Sequence, residues 1–321
     1  MRRLTSSPVR RRRRPAGEHG AVSVLVALLM VPLIGFTALA VDIGHVYAQR
    51  ARLQTAADAA ALAVAQDCAR GACGNMQATA TALVAANLPG AAAAAPVLAS
   101  GPMRVTVTGD KPTMHWFAPV LGIDSTDVRA TATVAWGFPG GGTAVLPLTF
   151  SYCEWTWQTH GGMPSSTTPV TIKFTKDSGT NCTGPSNNIV PGGFAYIDTD
   201  PGKCTASSKI ADHATSKTGN SVPSTCVPAD FSGWVGQTVL LPLFDDSGLT
   251  GTNAWYRVFG YAAFRITGYA LGGQYKTSPA PCGGNDRCIS GYFTRFVDLS
   301  ERFTWTNDGP NLGASVLRLI R

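Results

Sequence analysis

The sequence predicts an α+β protein: one apolar helix near the N-terminus, an Ala-rich helical continuation, then a disulfide-bonded, mainly antiparallel β region. Three observations lead to this. No charged side chain occurs from Ala21 through Val41, and at about 1.5 Å per helical residue that run covers about 31 Å, close to the hydrocarbon thickness of a bilayer. From Ile43 to Val64 small and apolar residues recur at three and four, the spacing of one helical face. Beyond Gly140 short alternating segments and polar loops replace that pattern, and the 321-residue chain holds eight cysteines.

Residues 1–19 form a basic tail. Seven Arg (positions 2, 3 and 10–14) face the lone Glu18, which is +6 of the formal +7, so the remainder is nearly neutral. A basic block abutting an apolar run marks the cytoplasmic flank of a span and is drawn to anionic headgroups. Later Lys and Arg are scattered without interleaved aromatics, and nucleic acid is not an expected partner. Residues 20–41 are the transmembrane helix. Ala38-Leu39-Ala40 fits a signal-peptidase site, yet the run exceeds the 7–15 residues of a signal core, which favours a retained anchor over cleavage after Ala40.

In residues 42–137, Ile43, Val46, Tyr47, Leu53, Ala57, Ala60, Ala61 and Val64 share a face, with Arg50, Arg52, Gln54 and Asp58 between them. The helix therefore continues as a rod ending near Cys68 to Gly71. A second helix covers Met76 to Leu88 and stops at Pro89-Gly90, and Ala91 to Pro96 reads as a hinge. A strand over Met103–Thr108, a short amphipathic helix over Thr113–Leu121 after Pro112, and a strand over Val128–Trp136 complete a small α+β unit.

Gly140-Gly141-Gly142 suggests the next boundary, and residues 138–321 read as a β-rich domain. Strand candidates are Val170–Thr175, Gly193–Asp198, Thr238–Phe244, Trp255–Ile266 and Tyr292–Leu299, separated by polar loops at 176–192 and 199–230. A helix is expected only at the extreme C-terminus. Trp155 and Trp157 share a face if 151–158 is extended, as do Trp255, Arg257, Phe259 and Tyr261; such aromatics fill a core or mark a glycan-binding surface.

An even, dispersed cysteine set in an exported chain reads as disulfides rather than zinc ligands. Cys68 with Cys73 and Cys282 with Cys288 are the local pairs, leaving Cys153, Cys182, Cys204 and Cys226 to pair among themselves. His115, His160 and His213 are too dispersed for a metal cluster. Cys153 with His160 reads as a disulfide half beside a loop histidine, and Asp198, Asp200, Asp245 and Asp246 as turn or strand-end acids rather than calcium ligands. Asn181-Cys182-Thr183 fits a glycosylation sequon only formally. Neither a nucleophile elbow, a phosphate loop nor a His-Glu-x-x-His string occurs. The expectation is a non-enzymatic protein with no catalytic, metal or cofactor site and no small-molecule substrate.

Gly20-Ala21-Val22, Val41-Asp42-Ile43-Gly44, Arg50, Leu53-Gln54 and the string Ala56-Ala57-Asp58-Ala59-Ala60-Ala61-Leu62-Ala63 resemble the N-terminal segment of TadE/TadG-like Flp (Tad) pilus-assembly proteins. Phe117-Ala118-Pro119-Val120-Leu121-Gly122 and Val128-Arg129-Ala130-Thr131-Ala132 look like its downstream part, so the resemblance covers about residues 17–137. It implies a pilin-like α+β unit and a single-pass envelope protein, with its N-terminus cytoplasmic and its C-terminal domain extracytoplasmic. The implied partners are membrane lipid and pilin or other Tad secretion-system components. Asp42, Arg50, Gln54, Asp58 and Ala61 are then the candidate helix-assembly residues; the plainer alternative is that they solvate or fill an isolated helix. Two features depart from the family: the span has no acid before Asp42, unlike processed prepilins, and Asp245-Asp246-Ser247-Gly248-Leu249 lacks the last Ser of a von Willebrand-type metal motif. The alternative function is a membrane-anchored surface adhesin or glycan-binding protein, and an envelope enzyme stands behind it.

Overall fold

A single helix, His19–Ala69, carries the whole N-terminal pattern and runs through Pro32 without a break. The computed structural model describes residues 19–101 and 103–320; the basic tail with Arg10–Arg14 lies outside the described residues. From Val22 to Leu39 the large apolar side chains stand 49–74% exposed, none of them buried by the described residues. Each forgoes about 1.5–3 kcal/mol in water, on the order of 20 kcal/mol over the run, which exceeds the net stability of an ordinary domain. The helix is long and apolar enough to cross a membrane, where lipid removes that penalty and an interior Pro is tolerated.

Contacts divide the described residues into two units, 19–51 with 111–128 and 52–110 with 129–320. In the first, the helix is joined by a hairpin tip: the end of the strand Arg104–Met114, a 3-10 turn Ala118–Leu121 and the start of the strand Ser125–Ala144. The helix expected over Thr113–Leu121 is thus a strand end and a single turn. Pro119 has no N–H to bond residue 115 in an α-helix and is admitted at the start of a short turn, and Gly122 closes that turn at φ 80°.

In the second unit the rest of the long helix is a core element. Leu53, Ala56, Ala57, Ala60, Ala61, Val64 and Ala65 have zero exposure. They lie on a sheet that includes Arg104–Met114, Ser125–Ala144 and the C-terminal strand Ala314–Ile320. Small residues permit the close approach: a Cβ on Gly109 would stand 2.9 Å from Leu53 Cδ1. Gln54 Nε2 donates to Thr131 O at 3.1 Å, and Ser315 Oγ to Ala69 O at 3.3 Å. The helix Met76–Asn87 follows, capped by Asn75, whose Oδ1 accepts the Ala78 N–H.

Three local expectations need correction. The Ala91–Pro96 hinge contains a two-residue strand, Ala92–Ala93, paired with Gly109–Asp110. The glycine run at 140–142 lies inside the strand Ser125–Ala144, because other strands press against it. A Cβ on Gly142 would stand 2.4 Å from Arg302 O, and one on Gly141 2.8 Å from Lys209 Cγ. The C-terminus is a strand antiparallel to Thr133–Gly137, with Ala314 to Leu317 buried.

The second sheet runs Val170–Lys173, Cys288–Thr294, Ala254–Gly272, Thr238–Gly248, Leu148–Ser151, Phe194–Tyr196. Its pairings are antiparallel except where Thr238–Gly248 meets Leu148–Ser151. The central hairpin is buried on both faces. Val239, Leu241, Leu243 and Phe264 enter the main core, while Leu240, Val258, Tyr261 and Ala263 pack with Phe303, Ala314 and Val316. In the main core Phe150 lies 4.7 Å from Phe264 and 5.8 Å from Phe293, in tilted and edge-on geometry.

A helix also forms at Tyr152–Thr159, in a region where the sequence reading expects no helix before the extreme C-terminus. Ser151 caps it by accepting the Cys153 N–H at 3.1 Å, and Glu154 sits in its first turn. The two tryptophans consequently part: Trp155 is buried and donates to Leu312 O, whereas Trp157 is 41% exposed.

Four disulfides join Cys68–Cys73, Cys153–Cys182, Cys204–Cys226 and Cys282–Cys288. The Cys153–Cys182 bond closes a loop with a sequence separation of 29, worth about 3.5 kcal/mol by chain entropy. The double variant Cys153→Ala/Cys182→Ala is expected to melt about 10 °C below the parent, followed by circular dichroism of the full chain in detergent. An unchanged Tm would show that the bond adds nothing to the fold.

Candidate functional site

The chemistry of the first unit converges on Asp42, the residue after the apolar run. Its carboxylate accepts three consecutive backbone N–H groups from the hairpin tip: Trp116 at 2.8 Å, Phe117 at 3.0 Å and Ala118 at 2.7 Å. Asp42 is itself only 4% exposed. Successive N–H groups turned to one point make an anion-binding concavity, here filled by a side chain of the same protein. Backbone donors to a charged carboxylate are among the stronger hydrogen bonds. His45, one turn further on, stacks on Trp116 with ring centroids 4.9 Å apart. His115 closes the tip, its N–H donating to Asp124 O at 3.0 Å and its Nε2 lying 2.8 Å from Thr126 Oγ1.

Between the helix and this tip lies a groove of about 650 Å³. Gly35, Ala38 and Leu39 line one wall, Phe117, Val120 and Leu121 the other, and Asp42, Arg50 and His115 supply its polar positions. It is an apolar slot with a charged end, suited to an aliphatic chain or an apolar helix face.

The other candidate helix residues have different surroundings. Arg50 is exposed beside the groove. Gln54 donates to Asp58 Oδ1 at 2.8 Å as well as to Thr131 O, and Ala61 is fully buried in the second unit. The sequence singles out Asp42 as the acid that ends the span, but nothing in it marks Trp116 to Ala118 as its partners, 74 to 76 residues away.

The acids weighed for calcium are engaged by protein donors. Asp245 is buried and takes Arg257 Nε at 3.0 Å and Nη2 at 2.5 Å, which holds the guanidinium above its ordinary pKa. Asp246 accepts from Asn188, Asp198 from Thr215 and the Lys217 N–H, and Asp200 from Thr205 and Ser207. Cys204, Cys226 and Asp230 stand close together, but both sulfurs belong to a disulfide. The aromatic row also disperses. Trp255 packs on His213, Phe259 meets Tyr152 edge-on, and Tyr261 is buried against Phe303, where burial pushes its hydroxyl up to about 12.

Replacing Asp42 by Ala leaves three backbone donors without their acceptor, and the tip is expected to open at least about tenfold more often. Limited chymotrypsin digestion of the full chain in lipid should then cut after Trp116, Phe117 or Leu121 faster in the variant. Equal cleavage rates would show that the carboxylate does not hold the tip.

Residues 20–67, which contain Asp42, Gln54, Asp58 and Ala61, match a family model described as putative Flp pilus-assembly TadE/G-like. No curated protein and no solved structure matches the chain. The match thus spans the N-terminal helix from its apolar run to its buried Ala-rich part.

Proposed function

We propose that this chain is a single-pass, non-enzymatic envelope protein that acts in the assembly or anchoring of a Tad/Flp-type pilus. The observation that carries this reading is the TadE/G-like match on the very helix that exposes its apolar residues. Its partners are membrane lipid and a pilin or another component of that secretion system. Ile43 and Tyr47, 59% and 75% exposed just beyond the span, and the exposed Arg50 offer the surface for a second helix. The arginine block supports a cytoplasmic N-terminus, and the four disulfides support an oxidising compartment for the remainder. The span stays attached instead of being cut after Ala40: Gly35, Ala38 and Leu39 form one wall of the groove, and removing them would strip it.

A second reading, a surface adhesin or glycan-binding protein, is favoured by a different feature. A cleft of about 630 Å³ in the second unit sets the rings of Phe174 and Tyr256 among Thr218, Asn220, Ser247 and Thr252, the mixture of apolar faces and hydroxyl or amide groups that suits a sugar ring.

In producing cells, a photo-crosslinker at position 47 is expected to capture a helical membrane component of the pilus machinery, and in-frame deletion of the gene to abolish or deplete surface pili. Unchanged piliation, together with polysaccharide binding by the purified chain, would replace the first reading with the second. Intact mass from the membrane fraction checks attachment: the full N-terminus is expected, with eight hydrogens gained on reduction, whereas loss of residues 1–40 would contradict a retained anchor.

A further inference from the structure

The segment Met114–Ile123 has the composition of a core element and the exposure of a surface loop. Trp116 is 64% exposed, Val120 89%, Leu121 70%, Ile123 53% and Met114 62%. No acidic residue, Lys or Arg lies within the segment, while Asp110 and Lys111 precede it and Asp124 and Asp127 follow. In water such a patch is a persistent penalty at a single hairpin tip.

Its position on the helix identifies what covers it. The groove places Phe117, Val120 and Leu121 beside Gly35, Ala38 and Leu39, residues that belong to the apolar run. Gly35 lies six residues before Val41, about 9 Å along the helix axis, which is deeper than the interfacial layer of a bilayer. The exposed side chains of the tip are therefore continuous with the surface of the span.

The backbone of the tip is also prepared for a water-poor setting. The His115 N–H has Asp124 O as acceptor, those of Trp116, Phe117 and Ala118 have Asp42, and Val120, Gly122 and Ile123 donate to Phe117 O, Pro119 O and Ala118 O. Pro119 has no N–H to satisfy. Irregular backbone enters the edge of a bilayer only when its donors are met internally, and an indole ring favours that level.

We propose that the Met114–Ile123 tip is a second membrane contact, seated in lipid at the Val41 end of the span, with acyl chains filling the groove between tip and helix. The inference rests on the reading that the helix spans a membrane. Asp42 acts as its positioning residue, fastening the tip at that depth. The chain holds its level in the membrane at two points, and the apolar layer it occupies extends beyond Val41 on one side of the helix.

Trp116 reports on this directly, since the other six tryptophans all lie after residue 128. The full chain, reconstituted in phosphatidylcholine vesicles brominated on the upper acyl carbons, is compared with Trp116→Phe, and the difference between their emission spectra is the Trp116 signal. Loss of most of that signal to the brominated lipid, with little loss to aqueous iodide, is expected. Quenching by iodide, or by neither agent, would overturn the proposal, the latter by showing a ring covered by protein. Flotation of the vesicles separates the two claims. A chain that floats while Trp116 escapes the bromines refutes the lipid-seated tip alone, and a chain that does not float refutes the membrane span and the tip together. As a variant independent of Trp116, Val120→benzoylphenylalanine is expected to give lipid adducts on irradiation; exclusively protein adducts would refute the proposal.

Discussion

A carboxylate at the end of an apolar run is the constraint on which the first unit depends. Asp42 sits where the sequence changes from residues that need lipid to residues that need protein, and there it takes three N–H groups from a segment more than 70 residues distant. An aspartate left bare beside hydrocarbon would be strongly unfavourable. Turned onto the backbone of Trp116, Phe117 and Ala118, it satisfies donors that the turn at Pro119 cannot use and fixes a hairpin tip rich in apolar side chains. Pro119, Gly122 and the His45–Trp116 stack keep the tip in register with that carboxylate.

One helix meets two solvents. Through Leu39 its large side chains are exposed and apolar enough for lipid, while from Leu53 the small-residue face is buried against a sheet. Alanine serves the second role because it has the best helix propensity and lets backbones come close. The same string, Ala56 to Ala63, lies within the TadE/G-like match, so the residues that carry the family resemblance do structural work inside this chain. Between these two stretches Ile43, Tyr47 and Arg50 remain exposed on the helix.

Much of this was legible in the sequence because it rests on local periodicity. The uncharged run, the Ala-rich face from Leu53 to Val64, the helix Met76–Asn87 and the strands around Thr238 and Trp255 announce themselves by spacing alone, whereas Ile43 and Tyr47, expected on the same face, are exposed. What escaped depends on distant partners or on short signals outweighed by composition. Gly140 to Gly142 read as a boundary because glycine clusters commonly mark loops, but here they admit neighbouring strands at closer than a Cβ would allow. The helix Tyr152–Thr159 was obscured by its β-favouring aromatics, although Ser151-x-x-Glu154 is a helix-start signature. The terminal Ala314–Ile320 strand is helical by composition and extended only because it pairs with Thr133–Gly137. Asp42 was visible as a singular acid, but its acceptor role was not, since no pattern links residue 42 to residue 116.

The central claim is that Asp42 clasps the hairpin tip beside the apolar span. Hydrogen–deuterium exchange of the Trp116, Phe117 and Ala118 amides in the lipid-reconstituted full chain, compared with Asp42→Asn, measures the clasp itself. Slow exchange in the parent and markedly faster exchange in the variant, confined to those three amides and their neighbours, is the result predicted. Exchange in the parent at the rate of an open loop, unaltered by the substitution, would contradict it.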